Sequence, residues 1–85
     1  RAVAVLHYAP IVETLEGEPL EILQYLGSQR LADAIDRFDF VRAAVHGHAH
    51  LGKYQGRTPR GTPVYNCALP VLRRELDRSY ALIEI

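Results

Sequence analysis

Val41-Arg42-Ala43-Ala44-Val45-His46-Gly47-His48-Ala49-His50 is the stretch on which the reading of this chain turns. Val41 to Val45 is a short apolar segment with β-branched ends, too brief for a stable helix and suited to a buried strand. It runs straight into three histidines spaced by single small residues. In extended backbone, residues i, i+2 and i+4 project to one side, which puts His46, His48 and His50 on one face and Gly47 and Ala49 on the other. Neutral imidazole is the commonest protein metal ligand, so the spacing predicts a metal site. A solvated His-rich turn is the bland alternative. A purification tag would be a contiguous terminal run, whereas this cluster is internal and follows a strand.

Working upstream, residues 2 to 8 form an apolar run of strand length that ends at His7-Tyr8-Ala9-Pro10, where proline stops further pairing. Residues 11 to 18 read as a loop. Pro19 opens a short helix with Leu20, Leu23 and Leu26 on one face and Gly27 as its terminator. Ser28 then caps a second helix, carrying Leu31, Ala34, Ile35 and Phe38 at the 3.6-residue period and ending near Asp39. Parallel strands joined by such a crossover present their C-terminal ends on one sheet edge, where α/β proteins bind ligands. His7, His48 and His50 are therefore expected to converge.

Downstream, Gly52, Gly56 and Gly61, with Pro59 and Pro63, mark turns around a hairpin whose segment 52 to 63 is expected to shape the pocket mouth. Val64 to Leu69 reads as a strand, Arg73-Arg74 with Glu75 and Asp77 as a surface of mixed charge, and Tyr80 to Ile85 as a last strand. The order is β, α, α, β and further strands: an α/β arrangement with helices packed on a mixed sheet.

The composition agrees with a globular piece of this kind. Of 85 residues, 48% are hydrophobic and 24% charged, which excludes a disordered tail or a coiled coil. A chain this short buries only about 60% of its unfolded surface, and residues 1–85 form one domain at most. Ten basic residues balance ten acidic ones, so no nucleic-acid or anionic-membrane partner is expected from bulk charge, although nine of the ten cations are Arg. No apolar run reaches the roughly 18 residues of a membrane span. With one cysteine, Cys67, no internal disulfide is available, and a reducing cytoplasm is the expected compartment. The chain lacks Met and opens at Arg1 directly into a strand, which reads as a piece of something longer.

Other reaction centres find little support. Gly52-Lys53-Tyr54 lacks the spaced glycines and hydroxyl of a phosphate-binding loop, and no G-x-S-x-G elbow occurs. Cys67 ends an apolar strand and reads as a small buried hydrophobe rather than a nucleophile. Arg57 and Arg60 sit in a Gly/Pro turn and read as solvated charge.

Taken together, Leu6-His7-Tyr8-Ala9-Pro10 followed by Val45-His46-Gly47-His48-Ala49-His50 resembles the last two metal-binding motifs of the calcineurin-like metallophosphoesterases. Val64-Tyr65-Asn66-Cys67-Ala68-Leu69 is similar to the strand that follows them. The resemblance implies the C-terminal half of a four-layer αββα sandwich that binds two divalent ions (Mn, Fe, Zn or Ni) at the sheet edge. His7 and His48 would serve one ion and His50 the other. His46, which has no metal role in that pattern, and Asn66 are candidates for supporting a ligand or facing substrate.

The family's Asp-x-His, Gly-Asp and Gly-Asn-His do not occur here. No catalytic acid or bridging carboxylate can therefore be assigned. The reading is a phosphoesterase half, cleaving phosphomonoesters or phosphodiesters only with its missing N-terminal partner. Two alternatives stand beside it: a metal-stapled oligomerisation or interaction module without catalysis, and a single-zinc enzyme using His7, His48, His50 and a water.

Overall fold

The computed structural model describes residues 1–25 and 27–85. Among the described residues, four strands form one mixed sheet: β1 (Ala2–Leu6), β2 (Val41–His46), β3 (Gln55–Arg57) and β4 (Pro63–Asn66), in the spatial order β1-β2-β4-β3. The β1–β2 and β2–β4 pairings are parallel, and β3 closes the sheet antiparallel to β4 as the expected hairpin. Helices α1 (Gln29–Asp36) and α2 (Leu69–Leu76) accompany two 3₁₀ segments, Glu13–Leu15 and Leu20–Tyr25. None of the described helices is long and apolar enough to cross a membrane.

The core follows from strand alternation. Ala44 and Val64 face each other across β2 and β4 and are fully buried, and they pack with Ile11 and with Ala32 and Ile35 of α1. Ala4, Leu6 and Val41 close the sides of this cluster. Complete burial of a valine such as Val64 is worth about 1.5–3 kcal/mol. A smaller cluster of Ala9, Leu15 and Ala49, with Leu23 against it, sits beneath the C-terminal ends of β1 and β2. It ties the loop after β1 to the histidine turn.

Several expectations are corrected. The run at residues 2 to 8 is not buried on both faces: β1 is an edge strand on which Val3 and Val5 are exposed. A continuous apolar run cannot tell one covered face from two. The segment 20–25 is 3₁₀ rather than α-helical, with Leu20 exposed, and Leu26 lies outside the described residues. Gly27 serves a close approach, because a β-carbon there would stand 2.6 Å from the Ala9 carbonyl oxygen.

Helix α1 ends at Asp36 rather than near Asp39, and Ser28 occupies its cap position without a side-chain hydrogen bond. Its buried residues are Ala32 and Ile35, while Ala34 and Phe38 are exposed. The Asp36 carboxylate instead ties the helix end to the hairpin, accepting from the Thr58 hydroxyl at 2.6 Å and the Arg60 amide at 3.2 Å.

The largest differences lie near the C-terminus. The strand expected over Val64–Leu69 stops at Asn66, and Leu69 begins α2, with Pro70 in its first turn and Arg73 and Arg74 in its last. Asp77, in the left-handed region at φ 54°, ends it. No strand forms over Tyr80–Ile85. Ala81 and Ile83 are half-buried between exposed Leu82 and Glu84, so the alternation reports one-sided contact; a strand needs a backbone partner as well.

Candidate metal-ligand corner

His7 directly follows β1, whose last residue, Leu6, pairs with His46 at the end of β2. The first histidine of the cluster is thus still in the sheet, and the next two are beyond it. His46 is 2% exposed and points inward, whereas His48 and His50 are exposed. The expected common face for all three is not formed, because extended backbone ends at His46.

What replaces it is a tight turn. The Ala49 amide donates to the Gly47 carbonyl at 2.8 Å, and His48 between them has φ 69°. A three-residue hydrogen-bonded turn with positive φ at its apex is a γ-turn of the rare, strained kind. A non-glycine residue held there costs on the order of 1–3 kcal/mol, and such strain concentrates at functional sites. The turn carries the His48 ring back toward β1, where its centroid lies 4.4 Å from that of His7, at an interplanar angle of 31°. Tyr8 meets both rings edge-on, at 4.9 Å from His7 and 5.9 Å from His48.

Two of the three predicted ligands are therefore brought together. His50 is not part of this ring cluster, and its backbone is held elsewhere: Arg74 of α2 donates to the carbonyls of His50 and Gly52. That pins the far side of the histidine turn. Arg74 is thus a clamp on the histidine turn rather than only part of a surface of mixed charge. The signal that finds it is the helix itself: Pro70 in the first turn, Leu69, Leu72 and Leu76 at helical spacing, and basic residues near the end, where they meet carbonyl groups.

Beneath the corner lies a buried polar network. The Gly47 carbonyl can only accept, so the 2.9 Å contact from His46 Nδ1 places the ring proton on Nδ1. His46 Nε2 is then a bare acceptor, and the Thr14 hydroxyl donates to it at 2.8 Å. Burial lowers the pKa of His46 below its ordinary 6.5, against a smaller opposing effect of the Gly47 carbonyl, and keeps the ring neutral.

Asn66, fully buried, donates through Nδ2 to the carbonyls of Ala49 (2.9 Å) and Thr14 (3.3 Å) and accepts from the Ala68 amide at 3.1 Å. The Lys53 amide also reaches the Thr14 carbonyl, at 3.1 Å. His46 and Asn66 thus turn their polar atoms to the protein interior and hold the loop that carries His48. Thr14 was not legible as part of the site, since its contacts span 32 and 52 residues of sequence.

The corner is open. Among the described residues, no group of three or more His, Cys, Asp or Glu side chains gathers where it could hold an ion. Asp33 and Asp36 belong to α1, and Asp36 is engaged by the hairpin. Two clefts lie away from this corner. One of about 460 Å³ includes Asp39, Arg42, Arg60 and Glu84 near the N-terminal ends of β2 and β4, and one of about 420 Å³ lies among Ile11, Ala32, Arg57 and Pro59. Segment 52–63 shapes these clefts through Arg57 to Pro63. Cys67 is half-buried, and burial pushes its thiol pKa up, which disfavours the thiolate a nucleophile needs. No protein-family model, no curated protein and no solved structure matches this chain.

Proposed function

We propose that this chain supplies the imidazole half of a dinuclear metal centre in a phosphoesterase, with the carboxylate ligands delivered from outside residues 1–85. The observation that carries the reading is the His7–His48 pair, 4.4 Å between ring centroids at the C-terminal ends of two adjacent parallel strands. His48 reaches that position only through a strained backbone, which an incidental surface histidine would not need.

The donor set fits such a centre in part. Two adjacent imidazoles suit Zn, Mn, Fe or Ni, but two ligands fall short of the four or more these ions take from protein and water. His50 is exposed and available to a second ion, as the resemblance to the metallophosphoesterases implies. When bound, two divalent ions supply phosphoryl charge neutralisation and an acidified water. This chain's own part is to present His7 and His48, to hold the turn that carries His48 through His46 and Asn66, and to keep Tyr8 beside both rings. With a net charge of zero, attraction for a phosphate ester must come from bound cations rather than from side-chain charge.

The test is a Mn²⁺ titration of ¹⁵N-labelled protein together with a phosphodiester assay. Paramagnetic broadening is expected first at His7 and His48, with weak affinity and little turnover. Broadening centred elsewhere would overturn the site, and robust turnover by the 85-residue chain that His48→Ala abolishes would overturn the need for outside carboxylates.

A second reading, a metal-stapled module that self-associates, is favoured by Val3 and Val5, 42% and 78% exposed on the open edge strand β1. Unprotected edges of this kind recruit another strand. Light scattering across a concentration series separates the readings, since a strictly monomeric chain removes this one.

A further inference from the structure

A residue 32 positions from His46 in sequence touches the histidine motif from the protein interior. Three contacts form a chain from the protein interior to the surface: the Thr14 hydroxyl donates to His46 Nε2, His46 Nδ1 donates to the Gly47 carbonyl, and the same carbonyl accepts the Ala49 amide that closes the γ-turn around His48. Thr14 and His46 are both buried, so neither ring nitrogen has water as a substitute partner. If Nε2 lost its donor, an uncompensated acceptor would remain inside the protein. Rotating the ring outward to hydrate it would withdraw Nδ1 from Gly47. The carbonyl would then be free to turn, and His48 would relax toward negative φ, away from His7.

We propose that Thr14 is a positioning residue: through His46, its hydroxyl holds the Gly47 carbonyl in the one orientation that sets the His48 ring against His7. The proposal rests on the metal-ligand reading of His7 and His48 for its purpose, but the positioning itself can be read without metal. Thr14 has two separable tasks. Its main-chain carbonyl anchors Lys53 and Asn66, and only its side chain reaches His46. Thr14→Val keeps shape and main chain and deletes the hydroxyl, whereas Thr14→Ser keeps the hydroxyl.

The experiment uses the three proteins, ¹⁵N- and ¹³C-labelled, at pH 7.5. Thr14→Val is expected to lose the His7–His48 ring NOEs, to shift the His46 Nε2 resonance toward that of an unbonded nitrogen, and to raise Ala49 amide exchange about tenfold, with Lys53 amide exchange unchanged. Thr14→Ser is expected to restore all three. In a titration with Mn²⁺ alone, Thr14→Val should need about tenfold more metal for equal broadening at His7 and His48, in line with the loss seen when groups that orient metal ligands are removed.

Retention of the ring NOEs and of Ala49 protection in Thr14→Val overturns the proposal. So does a parallel rise at Ala49 and Lys53, which would mark general loosening. If the wild type shows the NOEs and the Thr14 dependence but no Mn²⁺ response, the positioning stands and the metal-ligand reading falls.

Discussion

Gly52 is the position where one added carbon should do most damage. A β-carbon built there would press into the Thr14 carbonyl oxygen, stand 3.0 Å from the Thr14 carbonyl carbon, and lie 2.9 Å from Asn66 Nδ2. None of these atoms can swing aside. Thr14 is main chain, and the Asn66 amide is fixed by Ala49, Thr14 and Ala68 together. Gly52→Ala must therefore push the 49–53 loop off its support. Overpacking of this kind costs about 1–3 kcal/mol. Losing the Lys53-to-Thr14 and Asn66-to-Thr14 hydrogen bonds adds about 1 kcal/mol each, for a total of about 3–5 kcal/mol. A domain of this size has about 4–13 kcal/mol in all. Gly47 provides the matched control, because a β-carbon there meets nothing within 4 Å. Urea denaturation followed by circular dichroism should show the Gly52→Ala midpoint about 2 M lower at a slope of about 2 kcal/mol/M, with Gly47→Ala near the wild type. Equal midpoints for the two variants would refute the reasoning, because both lie in the histidine loop and differ in what surrounds them.

Three further outcomes follow from the same network. Asn66→Asp replaces a double donor with an acceptor facing the Ala49 and Thr14 carbonyls, so a loss of about 3–5 kcal/mol is expected at pH 8, partly recovered on acidification as a protonated carboxyl regains a donor. For His46, folding lowers the pKa, so the unfolded chain takes up the proton first as pH falls. Its contribution is intact above pH 6.5 and declines below it, and His46→Gln should flatten that part of the stability profile measured by urea midpoint between pH 5 and 8. Arg74→Ala removes a half-exposed clamp, so it should cost only about 1 kcal/mol while raising amide exchange locally over residues 50–52, with the Asn66 side-chain amide resonances unmoved.

The meeting of His7 and His48 at one sheet edge was foreseeable, because strands β1 and β2 were legible as apolar runs and their helical crossover implied parallel pairing. The extended continuation through His50 was not. Alternation describes side-chain direction only while a ladder holds the backbone, and at His46 the ladder stops. Helix α2 was missed for a similar reason: its apolar residues continue a strand-like run, three of its eight residues are charged, and the core they serve is visible only once Val71 and Leu72 are buried.

By itself, the sequence determined the α/β class, the parallel neighbours β1 and β2, the hairpin, and the presence of imidazoles at one sheet edge. These depend on local pattern and chain connectivity, which a linear string records. Tertiary structure alone decided which histidine turns inward, which backbone is strained, and that Thr14, Asn66 and Arg74 hold the loop. The burial of His46 and the anchoring of the loop depend on hydrogen bonds between groups 17 to 52 residues apart, where each buried donor must find an acceptor and the partner is chosen by packing.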